Sequence, residues 1–413
     1  MTRSVTVLGA GIVGICCALE LQRRGLQVRL VDRRGPGEET SAGNAGILSY
    51  SNITPLANPA LLPRLHRLIL NLENDFLLHY PHLLPLLPWL LRFVSRCRRE
   101  TFLQDGAAMH LLTAASIELH KQLIVQARAA DLLNHGGGLK LYRNRETFLR
   151  DQLERELMQQ CGVRHTVLDA HQAYELEPDL KRIFTQAVLV DESVSIRDPE
   201  QLCKRYAQLF VDAGGEVVRG EVKSLRALPG AWEVTTDQSV EATSMLVVCL
   251  GAWAPGLLAS LGYANPLAIE RGYHTVFAAA EGSQLSRPIF DVDSSYVMAP
   301  MEAGLRVSSG TNLIHRETRP DPRQLRRVIP RVHEAFPLAE ELLQQPWMGR
   351  RPTLPDTLPI IGPAPRHENL WLAFGHSHMG LTLGPITGQL IASFICGDER
   401  PFPLAACAPS RYL

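Results

Sequence analysis

Gly9-Ala10-Gly11-Ile12-Val13-Gly14 follows the pattern G-x-G-x-x-G close to the start of the chain. In such a loop the first glycine permits a tight turn, the second lets backbone approach a pyrophosphate, and the third allows a helix to pack closely on a strand. A helix beginning there directs unpaired N–H groups and its positive dipole end at the phosphates. Asp32 ends the next apolar run, where a carboxylate accepts hydrogen bonds from ribose hydroxyls. These residues predict a dinucleotide site in preference to a structural glycine turn, without separating NAD from FAD. Glu39-Thr40-Ser41-Ala42-Gly43-Asn44-Ala45-Gly46 adds hydroxyls and small residues where a second strand-to-loop crossing can approach phosphate and an isoalloxazine ring. Its plainer reading is a loop of small residues. His376 and His378 form an H-x-H, which on a strand sets both rings on one face like metal ligands. No third ligand clusters with them, so no metal is expected.

The elements that must position these residues follow from hydrophobic pattern. Residues 5–8 predict a strand, 15–24 a helix stopped by Gly25, and 27–31 a second strand, which together make a βαβ unit. Helices are expected at 111–130, 146–160 and 199–213, the last with Pro199 at its start and Gly214-Gly215 at its end. The apolar run 245–250 suits a buried strand of a doubly wound sheet. Residues 273–309 read as short antiparallel strands. The tail repeats the opening logic, with a strand at 370–373, a glycine-rich turn at 375–384 and a helix at 386–396 carrying Pro385 in its first turn.

A chain of 413 residues exceeds one hydrophobic core, and with 46% apolar and 20% charged residues it reads as a folded globular protein. Lys plus Arg and Asp plus Glu both number 42, leaving no net basic field for nucleic acid. The eight cysteines are scattered without a C-x-x-C pair, which predicts a reducing, cytoplasmic setting. The first apolar run is too short for a signal peptide, and no run approaches the ~18 apolar residues of a spanning helix.

Arg33 through Gly46, above all Thr40-Ser41 followed by Asn44-Ala45-Gly46, resembles the matching stretch of bacterial D-amino-acid dehydrogenases and of the wider D-amino-acid oxidase and glycine oxidase superfamily. Leu250-Gly251-Ala252-Trp253 is similar to that family's G-A-W, and Gly349-Arg350-Arg351-Pro352-Thr353-Leu354-Pro355-Asp356 to its G-x-R-P-x-x-P-D. Gly375-His376 with Met379, Gly380, Leu381, Thr382 and Gly384 resembles its flavin-contacting end, and Val222 falls among the cofactor-binding positions. The resemblance implies an α/β flavoprotein with a Rossmann-type FAD domain and an α+β cap containing an antiparallel sheet. The FAD domain would comprise residues 1–55, 185–258 and 346–413, and the cap 56–184 and 259–345. It also implies that Arg351 binds the substrate carboxylate, with Arg350 as the competing choice, that Tyr296 helps fix that carboxylate, that His376 lies near the flavin, and that His378 lines the substrate cavity. The last helix would direct its N-terminus at the flavin pyrimidine edge. No cysteine lies in 349–384, so FAD is expected to be non-covalent.

The implied reaction is hydride transfer from the α-carbon of an amino acid in its neutral-amine form to flavin N5, giving an imino acid. D-amino acids are the first expectation, D-proline and cis-4-hydroxy-D-proline the narrower one. A glycine- or sarcosine-type oxidase using oxygen, an NAD-dependent dehydrogenase, and a flavin subunit needing partner chains stay open. In 55–102, leucines around Pro81, Pro85, Pro88 and Trp89 are flanked by Arg92, Arg96, Arg98 and Arg99. This segment is either cap core or an interfacial surface at the inner face of the cell membrane, where a quinone would take the electrons. The three prolines argue against one helix across it.

Overall fold

The computed structural model describes residues 4–74, 76–314, 316 and 318–413. The opening apolar run is the strand Ser4–Leu8, parallel to Gln27–Asp32 on one side and Met245–Val248 on the other. Glu216–Arg219 and Leu370–Phe374 extend this sheet in parallel, and Ile360–Pro363 closes it in antiparallel fashion. All four residues of Met245–Val248 are buried, as a strand covered on both faces requires.

The first helix spans Ile12–Arg23, opening inside the glycine loop. It stops because Gly25 adopts φ +80°: Gly25 N–H reaches Gln22 O and Leu26 N–H reaches Leu21 O, the paired bonds of a glycine-terminated helix. The helix Gly380–Cys396 packs on it so closely that a Cβ on Gly388 would lie 2.4 Å from Cys16 O. This helix begins six residues before the expected 386, leaving Pro385 beyond the first turn. Proline removes the N–H that would bind the Leu381 carbonyl, and the buried His120 Nε2 occupies that carbonyl instead at 2.9 Å. Burial lowers the His120 pKa to about 4, so the ring is neutral.

The long helix Arg99–Gln126 starts well before the expected 111. Tertiary contacts hold its polar first half: Asp105 pairs with Arg96, and Gly106 gives Leu157 room that a Cβ would take. The expected helix at 146–160 is broken into Arg145–Arg150 and Gln152–Gln160. Prolines do divide 55–82 into short pieces, yet the helix Leu83–Arg96 runs through Pro88, whose deprived carbonyl partner belongs to the solvent-exposed Leu84.

A second, ten-stranded sheet is mostly antiparallel. The strand Ala268–Ala279 pairs with Gly304–Leu313 and with Trp347–Thr353, and Tyr296–Met301 flanks Gly304–Leu313. One face of this sheet, with Tyr273, Phe277 and Val307, packs on the helix Arg323–Ala335. The other face carries Glu270, His274, Ser308 and Arg351 towards the first sheet.

Candidate functional site

A cavity of about 870 Å³ runs between the two sheets, from the glycine loop and Asp32 to Arg351 and Glu270. At its dinucleotide end Gly9, with φ +101°, passes so close to Cys249 that a Cβ would lie 2.6 Å from the Cys249 carbonyl. Gly14 touches the backbone of Gly9, whereas a Cβ at Gly11 would meet only Ser41 Oγ at 3.4 Å. Gly11 therefore presents backbone to the cavity, with Ile12 and Val13 beside it, while Gly14 supports the loop from behind. Asp32 accepts from Ala10 N–H at 2.7 Å and Arg34 N–H at 2.8 Å. Burial raises its pKa, and these two donors oppose the rise. Arg33 pairs with Glu39 and lies 4.2 Å over the Trp253 ring, and Gly251 and Val222 complete that wall.

The second crossing, 40–46, is tied to the glycine loop and to the second sheet. Thr40 Oγ1 donates to Arg350 O at 2.9 Å, Ser41 Oγ accepts from Ile12 N–H at 3.2 Å, and Arg306 Nη1 donates to Asn44 O at 2.6 Å. Ala45 lines the cavity. Gly46, with φ +73°, packs on Ile196 and anchors the loop through Asn44 Oδ1. Gly349 leaves space for the Trp347 ring, which stacks on His274 with centroids 4.9 Å apart.

The H-x-H does not present one face. Ser377 takes φ +49° and turns the chain, so His376 is buried and His378 exposed, and both line the cavity. His376 Nε2 contacts Thr387 Oγ1 at 3.0 Å, and because that hydroxyl donates to Leu383 O, the ring nitrogen must be the donor. Burial lowers the His376 pKa to about 3. Desolvation between the cavity walls lowers that of His378, with Glu270 opposing the shift and Arg351 adding to it. Among the described residues no group of three His, Cys, Asp or Glu could hold a metal. Gly380 and Leu381 line the cavity at the start of the last helix; Met379 is buried in the main core and Thr382 Oγ1 reaches Ile47 O at 3.4 Å.

Arg351 sits opposite Glu270 in the strand register. Its Nη1 donates to Glu270 Oε1 at 2.7 Å and to Gly310 O at 3.0 Å. Glu270 and Gly272 were not foreseen from the sequence; a carboxylate within an otherwise buried strand was the available signal. Tyr296 is among the residues lining the cavity. It pairs with Ser309, so strand alternation turns it to the helix-packed face, where it is buried and its ring neighbours Asp291 and Arg143. Val297, one residue on, pairs with Ser308 on the cavity side. No hydrogen bond joins the Tyr296 hydroxyl to Arg351.

The cavity suits FAD in its length between the two sheets, in the bare backbone at Gly11, and in the carboxylate of Asp32 at one end. Comparison with known proteins agrees. The family model described as FAD dependent oxidoreductase matches residues 4–394. The chain is 30% identical to a D-amino-acid oxidase of Bradyrhizobium diazoefficiens, covering 100% of this chain and 99% of that one. It is 32% identical to D-amino acid dehydrogenase 2 of Ralstonia nicotianae over 98% of both. A glycine oxidase structure from Geobacillus kaustophilus superposes with a TM-score of 0.79 at 21% identity, over 100% of each chain.

Proposed function

The chain belongs to the FAD dependent oxidoreductase family, and from that premise we propose that it oxidises a D-amino acid at its Cα–N bond. It is an FAD-dependent enzyme; the substrate and the electron acceptor are the proposal. The observation that carries it is Arg351, whose guanidinium stands on the cavity wall where a carboxylate can dock. Bound FAD supplies the acceptor for the electrons of the Cα–H bond. Gly9, Gly11 and the 40–46 loop hold the cofactor, Asp32 its ribose. Arg351 orients the substrate, and the two sheets exclude water from the site. Catalysis rests on positioning, so no side-chain base is required.

D-proline and cis-4-hydroxy-D-proline are the first compounds to try within this class. A panel of D-amino acids assayed with an artificial dye and with oxygen, side by side on the purified single chain, tests both substrate and acceptor. Turnover of glycine or sarcosine alone, or activity only with added partner chains, would overturn the proposal.

Non-covalent attachment of FAD is expected. A thioether needs a cysteine beside the flavin ring, and the one cysteine among the described lining residues, Cys249, faces Cys17 Sγ at 3.9 Å beside the glycine loop. Acid precipitation should leave the yellow cofactor in the supernatant. Colour in the pellet would contradict this.

The quinone reading is supported by the surface of 62–91. Trp89 and Phe93 are buried and stacked, and Trp89 Nε1 donates to Thr353 O at 3.1 Å, so these two are cap core. Leu84, Leu87 and Leu91 are 83%, 46% and 63% exposed and share one helix face. No described helix is long and apolar enough to cross a membrane. Replacing these three leucines by serine should reduce sedimentation with anionic vesicles and slow quinone reduction, while dye-linked activity and melting temperature stay near those of the parent. Each nearby arginine adds about 1 kcal/mol at an anionic surface, so binding should also weaken with salt. A parent protein that ignores vesicles would end this reading.

A further inference from the structure

We propose that Glu270 is a positioning and specificity-determining residue, one that fixes which edge of Arg351 meets the substrate and disfavours substrates with a second carboxylate. The inference rests on Arg351 being the carboxylate anchor.

Glu270 is 2% exposed, and its carboxylate is enclosed by donors. Oε1 accepts from Arg351 Nη1 at 2.7 Å and from Thr311 Oγ1 at 3.2 Å, and Oε2 from Thr353 Oγ1 at 3.0 Å. Arg351 Nη1 is also held by Gly310 O, in a backbone conformation of φ +100° that favours glycine. The rest of the guanidinium lies over the bare Cα of Gly272, where a Cβ would be 2.2 Å from Nη2. Every hydrogen bond from Arg351 to a described residue uses Nη1. The Nε–Nη2 edge is therefore the fork left for a ligand carboxylate, and the side-on geometry is set before the ligand arrives.

Charge follows from the same contacts. The Glu270–Arg351 pair is neutral overall, so a ligand carboxylate leaves the group negative unless the ligand brings its own cation. A zwitterionic α-amino acid does so as it binds, through its ammonium group. A second carboxylate on the side chain adds negative charge near Glu270, and juxtaposed like charges repel at close range. Arg64, Arg316 and Arg350 also line the cavity; Arg64 pairs with Glu73, and Arg350 lies over Trp253 and donates to Arg316 O.

The test is Glu270→Gln in the FAD-loaded enzyme, with acetate and succinate as calorimetric probes and with neutral and acidic D-amino acids as substrates. Glutamine keeps the shape and can still accept from Arg351. The expected result is a rise of about tenfold in the succinate-to-acetate affinity ratio, on the scale of a relieved like-charge contact. KM should fall for acidic substrates, and kcat should fall for neutral ones as the arginine edge loosens. An unchanged ratio overturns the proposal. If the glutamine variant fails to fold, Glu270→Asp decides, because it keeps the charge but retracts the carboxylate: neutral-substrate kinetics equal to the parent's would overturn the positioning role. Arg351→Lys separates the two levels. Unaltered acetate binding in that variant sinks the anchor reading itself, whereas weakened acetate binding with a ratio unmoved by Glu270→Gln sinks only the present inference.

Discussion

Gly14→Ala is expected to give a chain that purifies without FAD and melts well below the parent. The added Cβ, on the first helix, would lie 1.8 Å from the Gly9 carbonyl oxygen, which is backbone leaving the first strand. Gly9 cannot yield easily, because it is itself pressed against Cys249 on the neighbouring strand. Overpacking a rigid site costs about 1–3 kcal/mol and sometimes more, and a contact this short against backbone belongs at the upper end. Gly11→Ala is the informative control. Its Cβ would meet only Ser41 Oγ at 3.4 Å, so the fold should survive while the backbone approach to the pyrophosphate is obstructed. The pair is read by the ratio of flavin to protein absorbance after gel filtration, together with thermal melts. The expected pattern is loss of both flavin and stability for Gly14→Ala, and loss of flavin alone for Gly11→Ala. A yellow Gly14→Ala protein with the parent's melting temperature would contradict the packing described for this loop.

The glycine loop was legible in the sequence because its constraint is local: a strand, a turn and a helix within one short stretch, followed by Asp32. The same holds for the buried strand at 245–248 and the helix beginning at Pro199, where Asp198 caps Gln201 N–H as its type and position suggest. What local pattern could not supply was the contact across the chain. The first half of the helix Arg99–Gln126 is polar and contains Gly106, so periodicity placed its start near 111; Arg96 and Leu157 stabilise those turns from outside. Pro385 looked like a first-turn residue because nothing in the sequence announces that His120 will take the carbonyl it frees. Tyr296 shows the sharpest limit. A motif match placed it correctly on a strand, but a strand's two faces differ by a single residue, and only the register with Ser308 and Ser309 assigns the side chain. Arg351 and Glu270 are 81 positions apart, and their pairing is likewise a property of the sheet.

Arg351→Lys should preserve the fold and the flavin while raising KM for the substrate by about one to two decades, the equivalent of the roughly 1.5–3 kcal/mol carried by a charge-assisted contact. The charge is retained, so the loss measures geometry. A guanidinium can hold Glu270 with one nitrogen and offer the other edge as two parallel donors, whereas an ammonium is a single point shared between the two carboxylates. Lysine would also fail to cover Gly272, where the planar group now lies. Because Glu270 is buried, the remaining ammonium should be drawn towards it and away from the ligand. Arg350 is the control. Its Nε donates to Arg316 O at 3.4 Å and its guanidinium lies 5.9 Å over Trp253, beside the dinucleotide end of the cavity. Arg350→Lys should therefore affect flavin retention more than substrate KM. Steady-state kinetics with a neutral D-amino acid, on preparations matched for flavin content, distinguish the two positions. Parent-like kinetics in Arg351→Lys, with the rise in KM appearing in Arg350→Lys instead, would transfer the carboxylate to the neighbouring arginine and remove the basis for the Glu270 pair as a determinant of specificity.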